Sequence, residues 1–251
     1  MLWLIACTEP LRCNGAVELC DLPLDEVAFL RSHNSHASEE RGYHLTARNH
    51  TFAIPTQLED GVRSLNVDVY EWEGELAACH GFCELGTQPL EEILDEIEDF
   101  LGENPDETVL IDFQDEAPEG DMIDAVEAHA VYERVHLQPH GEPWQTMRAL
   151  RGELVLLDER LVYGTAWDYD TPEELDCTVQ GEEIDGGLYE VTHVLTNPIA
   201  SPENAEAINH QPVIGDHVGA CLEAVGFVNL LSVDYYSVGD ALAVVEALNA
   251  R

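Results

Sequence analysis

Apolar and polar positions along this chain fall into short blocks separated by turn residues. The run Glu26-Val27-Ala28-Phe29-Leu30 predicts a first strand, and it leads directly into the polar Ser32-His33-Asn34-Ser35-His36. Residues 62–70 predict a second strand in which Ser64, Asn66, Asp68 and Tyr70 share one face. Glu73-Gly74-Glu75 then makes a tight turn, and Leu76-Ala77-Ala78-Cys79-His80 returns as the other arm of a hairpin. Leu90, Ile93, Leu94, Ile97 and Leu101 form a helical stripe closed by Gly102. A third strand is expected over 108–113 with the polar tail Gln114-Asp115-Glu116, then a helix over 122–134 and strands over 154–158 and 228–234. A helix over 238–249 follows the last strand, and the aperiodic 161–187 stretch, with Trp167-Asp168-Tyr169-Asp170 inside it, reads as a long loop.

Alternating strand and helix signals predict a parallel sheet covered by helices, and with 251 residues the chain suits a single α/β barrel domain. No internal repeat or low-complexity linker divides it. Several of the expected strands end in polar or ionisable residues, as they do when active-site groups gather at the C-terminal face of a barrel.

Charge changes the picture of partners. The chain carries 51 acidic against 10 basic residues, a formal net charge of −41, and every basic residue is Arg. Such a surface repels nucleic acid and anionic lipid at low ionic strength, which excludes a nucleic-acid partner. High salt would screen the self-repulsion, the Debye length being roughly 3 Å at 1 M. The absence of Lys excludes Schiff-base chemistry and a P-loop lysine.

Seven cysteines complete the bulk reading. Cys13 and Cys20 bracket a short segment, Cys79 and Cys83 bracket His80, and Cys177 and Cys221 lie apart in the second half, so six can form three bridges and leave Cys7 over. That pattern favours an oxidising, exported setting. Residues 1–12 are set aside as a signal-like segment, in which Leu4-Ile5-Ala6-Cys7 looks like the end of a lipoprotein signal with Cys7 as a lipid anchor, and the domain proper is taken as 13–251. Beyond this segment no apolar run is long enough to span a bilayer.

Two segments carry the chemistry, Leu30-Arg31-Ser32-His33-Asn34-Ser35-His36 and Cys79-His80-Gly81-Phe82-Cys83. Each puts a His at the end of an expected strand beside small or polar residues. A histidine pair suits phosphodiester cleavage, since a neutral imidazole takes a proton from the attacking hydroxyl while an imidazolium gives one to the leaving oxygen.

The run 57–69 (Gln-Leu-Glu-Asp-Gly-Val-Arg-Ser-Leu-Asn-Val-Asp-Val), followed by Cys79-His80-Gly81-Phe82-Cys83, resembles the X region of the phosphatidylinositol-specific phospholipase C superfamily. So do the segment from Cys13-Asn14-Gly15 to Cys20 leading into His33-Asn34, and the stretch from Asn229 to Asp240, which is similar to the last strand and helix of secreted bacterial members. The resemblance implies a somewhat irregular (β/α) TIM-type barrel with His33 as general base, His80 as general acid and Asp234 orienting a catalytic His. It further implies attack by the inositol 2-hydroxyl on phosphorus, releasing diacylglycerol and a cyclic inositol phosphate. A glycerophosphodiester or sphingomyelin-type diesterase, and a non-catalytic binding protein on the same barrel, stand as alternatives.

The resemblance also bears on a metal. Metal-independent bacterial members have Arg at the strand position that Asp68 holds here, whereas calcium-dependent members have a carboxylate. Asn34, Asn66, Asp68 and Gln114 are therefore the expected oxygen ligands of a divalent cation, Ca2+ ahead of Mg2+. Asn66 and Gln114 depart from the usual carboxylates, which weakens the set. Arg63 is a possible phosphate contact although strand parity faces it away from Asp68. Trp167 and Tyr169 are expected to stack on a sugar-like ring or to pack as a lid, and His193 either to line the pocket from a strand end or to hold a hydrogen bond in the core. A Cys79–Cys83 bridge would hold the His80 loop, and His36, His44 and His50 receive no role. The expected partner is a phospholipid or a soluble phosphodiester, met by a monomer with at most peripheral membrane contact.

Overall fold

In the computed structural model, which describes residues 10–251 apart from Asp168 and Pro198, the alternation read from the sequence becomes strand β2 (Ser64–Trp72). Leu65, Val67 and Val69 are fully buried against helices on its outer face, while Ser64, Asn66 and Asp68 point to the interior of the sheet. Strand β1 (Phe29–Ser32) pairs β2 on one side and β10 (Leu230–Val233) on the other, both in parallel. The sheet continues from β2 through β5 (Val109–Asp115) and β7 (Leu154–Leu157) to β6 (Val135–Leu137). From β10 it continues through β9 (Leu188–His193) to β8 (Val162–Gly164). Strands β3 (Glu75–Ala78) and β4 (Gln88–Pro89) are the antiparallel extension of β2 that ends in His80.

Among the described residues the hydrogen-bonded path of the sheet is open between β6 and β8, with residues 158–161 linking β7 to β8, and the fold is an irregular α/β barrel of TIM type. Helices α1 (Ile54–Glu59), α2 (Leu90–Glu103), α3 (Asp121–Ala128), α4 (Pro202–Ile208), α5 (Val213–Val225) and α6 (Ala241–Asn249) lie outside it. The stripe on α2 buries Leu90, Ile93, Leu94, Ile97 and Leu101 as its spacing predicts. The helix expected over 122–134 breaks at His129, whose backbone is extended and whose Nδ1 accepts from Val131 N–H to start a separate 3-10 turn.

The barrel interior is layered. Phe29, Leu110, Val155, Leu188 and Leu230 form an apolar base, closed from below by Leu19, Leu24, Val27, Trp144 and Met147. Above them sits a charged layer, where buried Arg31 pairs Asp112 at 2.6 Å and Glu190 at 3.1 Å. Burial pushes the Arg31 pKa down, yet the two carboxylates more than offset this and leave it raised. An unpaired guanidinium here would cost several kcal/mol, so β1 tolerates Arg31 because β5 and β9 bring Asp112 and Glu190 to it.

Three disulfides, Cys13–Cys20, Cys79–Cys83 and Cys177–Cys221, close as the cysteine spacing allowed. The last spans 44 positions, for which chain entropy alone gives about 4 kcal/mol of stabilisation. Cys7, the expected lipid anchor, lies outside the described residues. Among the described residues no helix is long and apolar enough to cross a membrane.

With a net charge of −41, self-repulsion opposes the folded state and screening relieves it. The melting temperature should therefore climb steeply between about 0.1 M and about 2 M NaCl, the range over which the Debye length falls from roughly 10 Å to under roughly 3 Å. A flat or falling dependence by calorimetry would remove repulsion as a governing force.

Candidate active site

Parallel pairing of β1 with β10 sets Ser32 opposite Val233, so the next residues, His33 and Asp234, emerge side by side at the C-terminal edge of the sheet. His33 Nδ1 lies 3.0 Å from Asp234 Oδ1, a contact between residues 201 positions apart. Both residues are followed by left-handed backbone, Asn34 at φ 50° and Tyr235 at φ 45°. Asn adopts this conformation readily, whereas a tyrosine there stores strain of order 1–3 kcal/mol, as backbone at functional sites often does.

The opposite nitrogen of His33 faces Asn34. With the Asn34 amide turned so that its nitrogen meets Asp68, it donates to both Asp68 oxygens at 3.0 Å while its oxygen accepts from His33 Nε2 at 3.1 Å. His33 is then a donor at both nitrogens, the geometry of an imidazolium. Its electrostatics agree: burial lowers its pKa, but Asp234 by charge and hydrogen bond, then Asp68 and Glu190, leave it raised above 6.5. Asp234 moves the other way, because His33 and the Asn49 amide outweigh burial and hold the carboxyl below its usual range.

His80 approaches from the hairpin. Its Nδ1 donates to Ala47 O at 3.2 Å, which leaves Nε2 bare. Burial and the charge of nearby His33 lower its pKa, against weaker help from Ala47 and Asp234. The Cys79–Cys83 bridge closes a five-residue loop around this side chain. Tyr43, fully buried, donates to Ala78 O at 2.7 Å and packs so tightly on Gly86 that any Cβ there would lie 2.5 Å from its ring. The two rings are thus biased in opposite directions, His33 toward its charged form and His80 toward its neutral one, the reverse of the bias that a base at His33 and an acid at His80 require.

The four expected cation ligands do not make an oxygen cage. Asn66 Oδ1 accepts from Asn34 N–H at 3.0 Å and its Nδ2 donates to Asp112 at 3.1 Å, so both ends are engaged. Asn34 is engaged with Asp68 and His33, and Gln114 is exposed at the rim beside Glu116. Asp68 alone offers charge, and burial, reinforced by Asp112 and Glu116 against the pull of His33, raises its pKa to about 7. A hard cation wants six to eight oxygens and several carboxylates. One carboxylate among committed amides does not fit a resident Ca2+ or Mg2+.

Three expected substrate contacts lie elsewhere. Arg63 stands at the opposite end of the barrel, paired with Glu107 at 2.8 Å and lining a cleft with Asn14, Glu59 and Asn249. Tyr169 is buried against Leu195 and Ile208. His193 faces outward from β9 and pairs ring to ring with His217 of α5 at 2.8 Å. Trp167 is the exception: its ring centroid lies 4.9 Å from that of His33 and the side chain is 39% exposed.

The sequence reading missed Arg31, Glu190 and Asn49. Arg31, Asn66, Asp112, Gln114, Trp167 and Glu190 share a cavity of about 970 Å³ that opens at the barrel mouth. Arg31 Nη1 is buried in this cavity without a hydrogen-bond partner among the described residues. A charge inside an apolar strand was the signal for Arg31, and its partners were too distant in sequence to recognise.

The relatives bear on the fold and the family. In structure, the chain is similar to the F249X mutant of phosphatidylinositol-specific phospholipase C from Staphylococcus aureus, with a TM-score of 0.65 at 14% identity over 92% of this chain and 95% of that one. It is similar also to the phosphatidylinositol-specific phospholipase C of Listeria monocytogenes, with a TM-score of 0.62 at 14% identity over 92% and 94% of the two chains. At that identity the likeness establishes the fold. In sequence, a PI-PLC X domain-containing protein of Arabidopsis thaliana is 26% identical over 97% of this chain, which spans 66% of that relative's length. An uncharacterized secreted protein of Arthroderma benhamiae is 31% identical over 41% of this chain and 23% of its own. The family model for PI-PLC X 1 matches residues 19–177, well over half of the sequence, and the chain belongs to the PI-PLC X family.

Proposed function

We propose that this protein is an exported phosphodiesterase that cleaves a phosphoinositide-type diester by histidine acid–base catalysis. Attack by the neighbouring ring hydroxyl on phosphorus would give a cyclic inositol phosphate and release diacylglycerol. The observation that carries this reading is the Asp234-held His33 near His80, joined through Trp167 to a polar cavity that holds the unpartnered Arg31 Nη1. A polyhydroxylated ring suits that cavity, since Arg31 can donate to ring oxygens while Asp112 and Glu190 accept from ring hydroxyls. Export is supported by the three disulfides.

In the proposed reaction His33 takes the proton of the attacking hydroxyl and Asp234 stabilises the imidazolium so formed, as a carboxylate does for any base it orients. His80 gives a proton to the departing oxygen. Because the shifts favour charge on His33, the reactive form with the proton on His80 is the disfavoured protonation isomer of an interacting pair. No step is assigned to a cation. Phe82, 72% exposed beside His80, and Leu45, 57% exposed on the loop whose Ala47 binds His80, flank the mouth with Trp167. They give a peripheral contact with lipid that needs no basic patch, and the acidic surface restricts it to screened or weakly charged interfaces.

Phosphorus NMR of phosphatidylinositol incubated with the protein in high salt should show a cyclic phosphate, with or without chelator. A plain monoester from glycerophosphodiesters would favour the related diesterase reading, and no turnover of either would leave a binding protein. The profile of kcat/KM should be bell-shaped, with the acid limb below pH 6.5 where His80 titrates and the alkaline limb above it where His33 does.

Roles are separable by leaving group. His33→Ala should cost about 10²- to 10⁴-fold on both phosphatidylinositol and a p-nitrophenyl inositol phosphate. His80→Ala should cost about as much on the lipid and far less on the nitrophenyl ester, whose leaving group needs no proton. The opposite pattern would exchange the two roles. In Asp234→Asn, burial would dominate and the His33 pKa, followed by NMR titration, should fall below 6.5; an unchanged value would show that Asp234 does not set it.

A further inference from the structure

Asp234 cannot hold His33 unless something holds Asp234. Its carboxylate is 6% exposed and its Oδ1 accepts from a second donor, the Nδ2 of Asn49, at 2.7 Å. Asn49 is 1% exposed and sits on the loop that runs from β1 back beneath His33. Its backbone is pinned on both sides, with N–H donating to Ala37 O at 2.7 Å and the carbonyl accepting from Tyr235 N–H at 2.7 Å. The latter bond falls on the left-handed residue that follows Asp234, so one asparagine grips both the side chain and the strained exit of the catalytic strand. His50, its neighbour, donates from Nε2 to His33 O at 2.7 Å and fixes the loop to the base itself.

We infer that Asn49 is a positioning residue of the active site: its amide clamps the Asp234 carboxylate so that one oxygen stays aimed at His33 Nδ1. Two details separate this from ordinary structural bonding. Asn49 Oδ1 is buried without a partner among the described residues, an uncompensated polar atom that stability alone does not favour. The amide nitrogen also lies only 3.4 Å from His33 Nδ1, so both nitrogens converge on the same Asp234 oxygen and the carboxylate cannot rotate without losing both. By pattern, Asn49-His50-Thr51 is a glycosylation acceptor, but the buried and doubly engaged amide excludes that use.

This inference rests on the phosphodiesterase reading for its kinetic consequence and not for its spectroscopic one. The variants are Asn49→Leu, which keeps volume, and Asn49→Ala, which tolerates repacking. Each is compared with the wild-type chain by melting temperature, by kinetics on phosphatidylinositol and by the imidazole Nδ1–H proton resonance of His33, assigned with His33→Ala. A clamp predicts a fall in kcat of about tenfold or more with KM within about twofold. It also predicts that the downfield Nδ1–H signal of a ring held against a carboxylate broadens or moves upfield in any variant that remains folded. A folded variant of either kind that keeps both the signal and kcat, losing only melting temperature, would overturn the assignment. If the wild-type chain turns over no diester, the resonance alone decides the clamp, and the failure belongs to the phosphodiesterase reading.

Discussion

The contact on which the site depends is the hydrogen bond from His33 to Asp234 across the β1–β10 ladder. It joins the first and last strands of the barrel, so it exists only when the whole sheet has formed in its correct register. A slip of one residue would turn Asp234 away from the interior and leave a buried imidazole without its carboxylate. The bond is also electrostatic tuning: it opposes burial, keeps the proton on His33, and through Asn34 reaches Asp68 on the next strand. His80 reaches the same mouth by another route, a hairpin closed by a disulfide and propped by Tyr43, so the two rings meet from rigid but independent supports.

Charge divides the molecule into two regimes. Outside, unbalanced carboxylates favour solubility and call for salt. Inside, almost every charge has a counterpart: Arg31 between Asp112 and Glu190, His33 against Asp234. Asp68 is the imbalance: burial, with Asp112 and Glu116 nearby, raises its pKa to about 7. The Asn66 amide beside it satisfies its buried position by hydrogen bonds to Asn34 and Asp112 without adding negative charge.

The sequence was legible where a pattern had one explanation. Alternation in 62–70 reported β2 because one face meets helices and the other the barrel interior, and the α2 stripe had a single buried side. His33, His80 and Asp234 could be singled out because each follows a strand in a recognisable run, and the structure brings them close together. His193 was misplaced for a physical reason: every residue of β9 is buried, so burial could not say which parity faces the cavity. Strand parity already turned Arg63 away from Asp68, and because it precedes β2 it pairs with Glu107 at the other end of the barrel. Asn49 left no trace at all, because its meaning lies in a bond to a residue 185 positions away.

A crystal structure of the chain soaked with a cyclic inositol phosphate or with vanadate plus inositol tests the central claim most directly. Phosphorus, or vanadium, should lie between His33 Nε2 and His80 Nε2 within hydrogen-bonding reach of both, with the ring hydroxyls turned down toward Arg31, Asp112 and Glu190. A ligand bound with its phosphate away from either imidazole, or a ring excluded from the cavity that holds Arg31, would contradict the account.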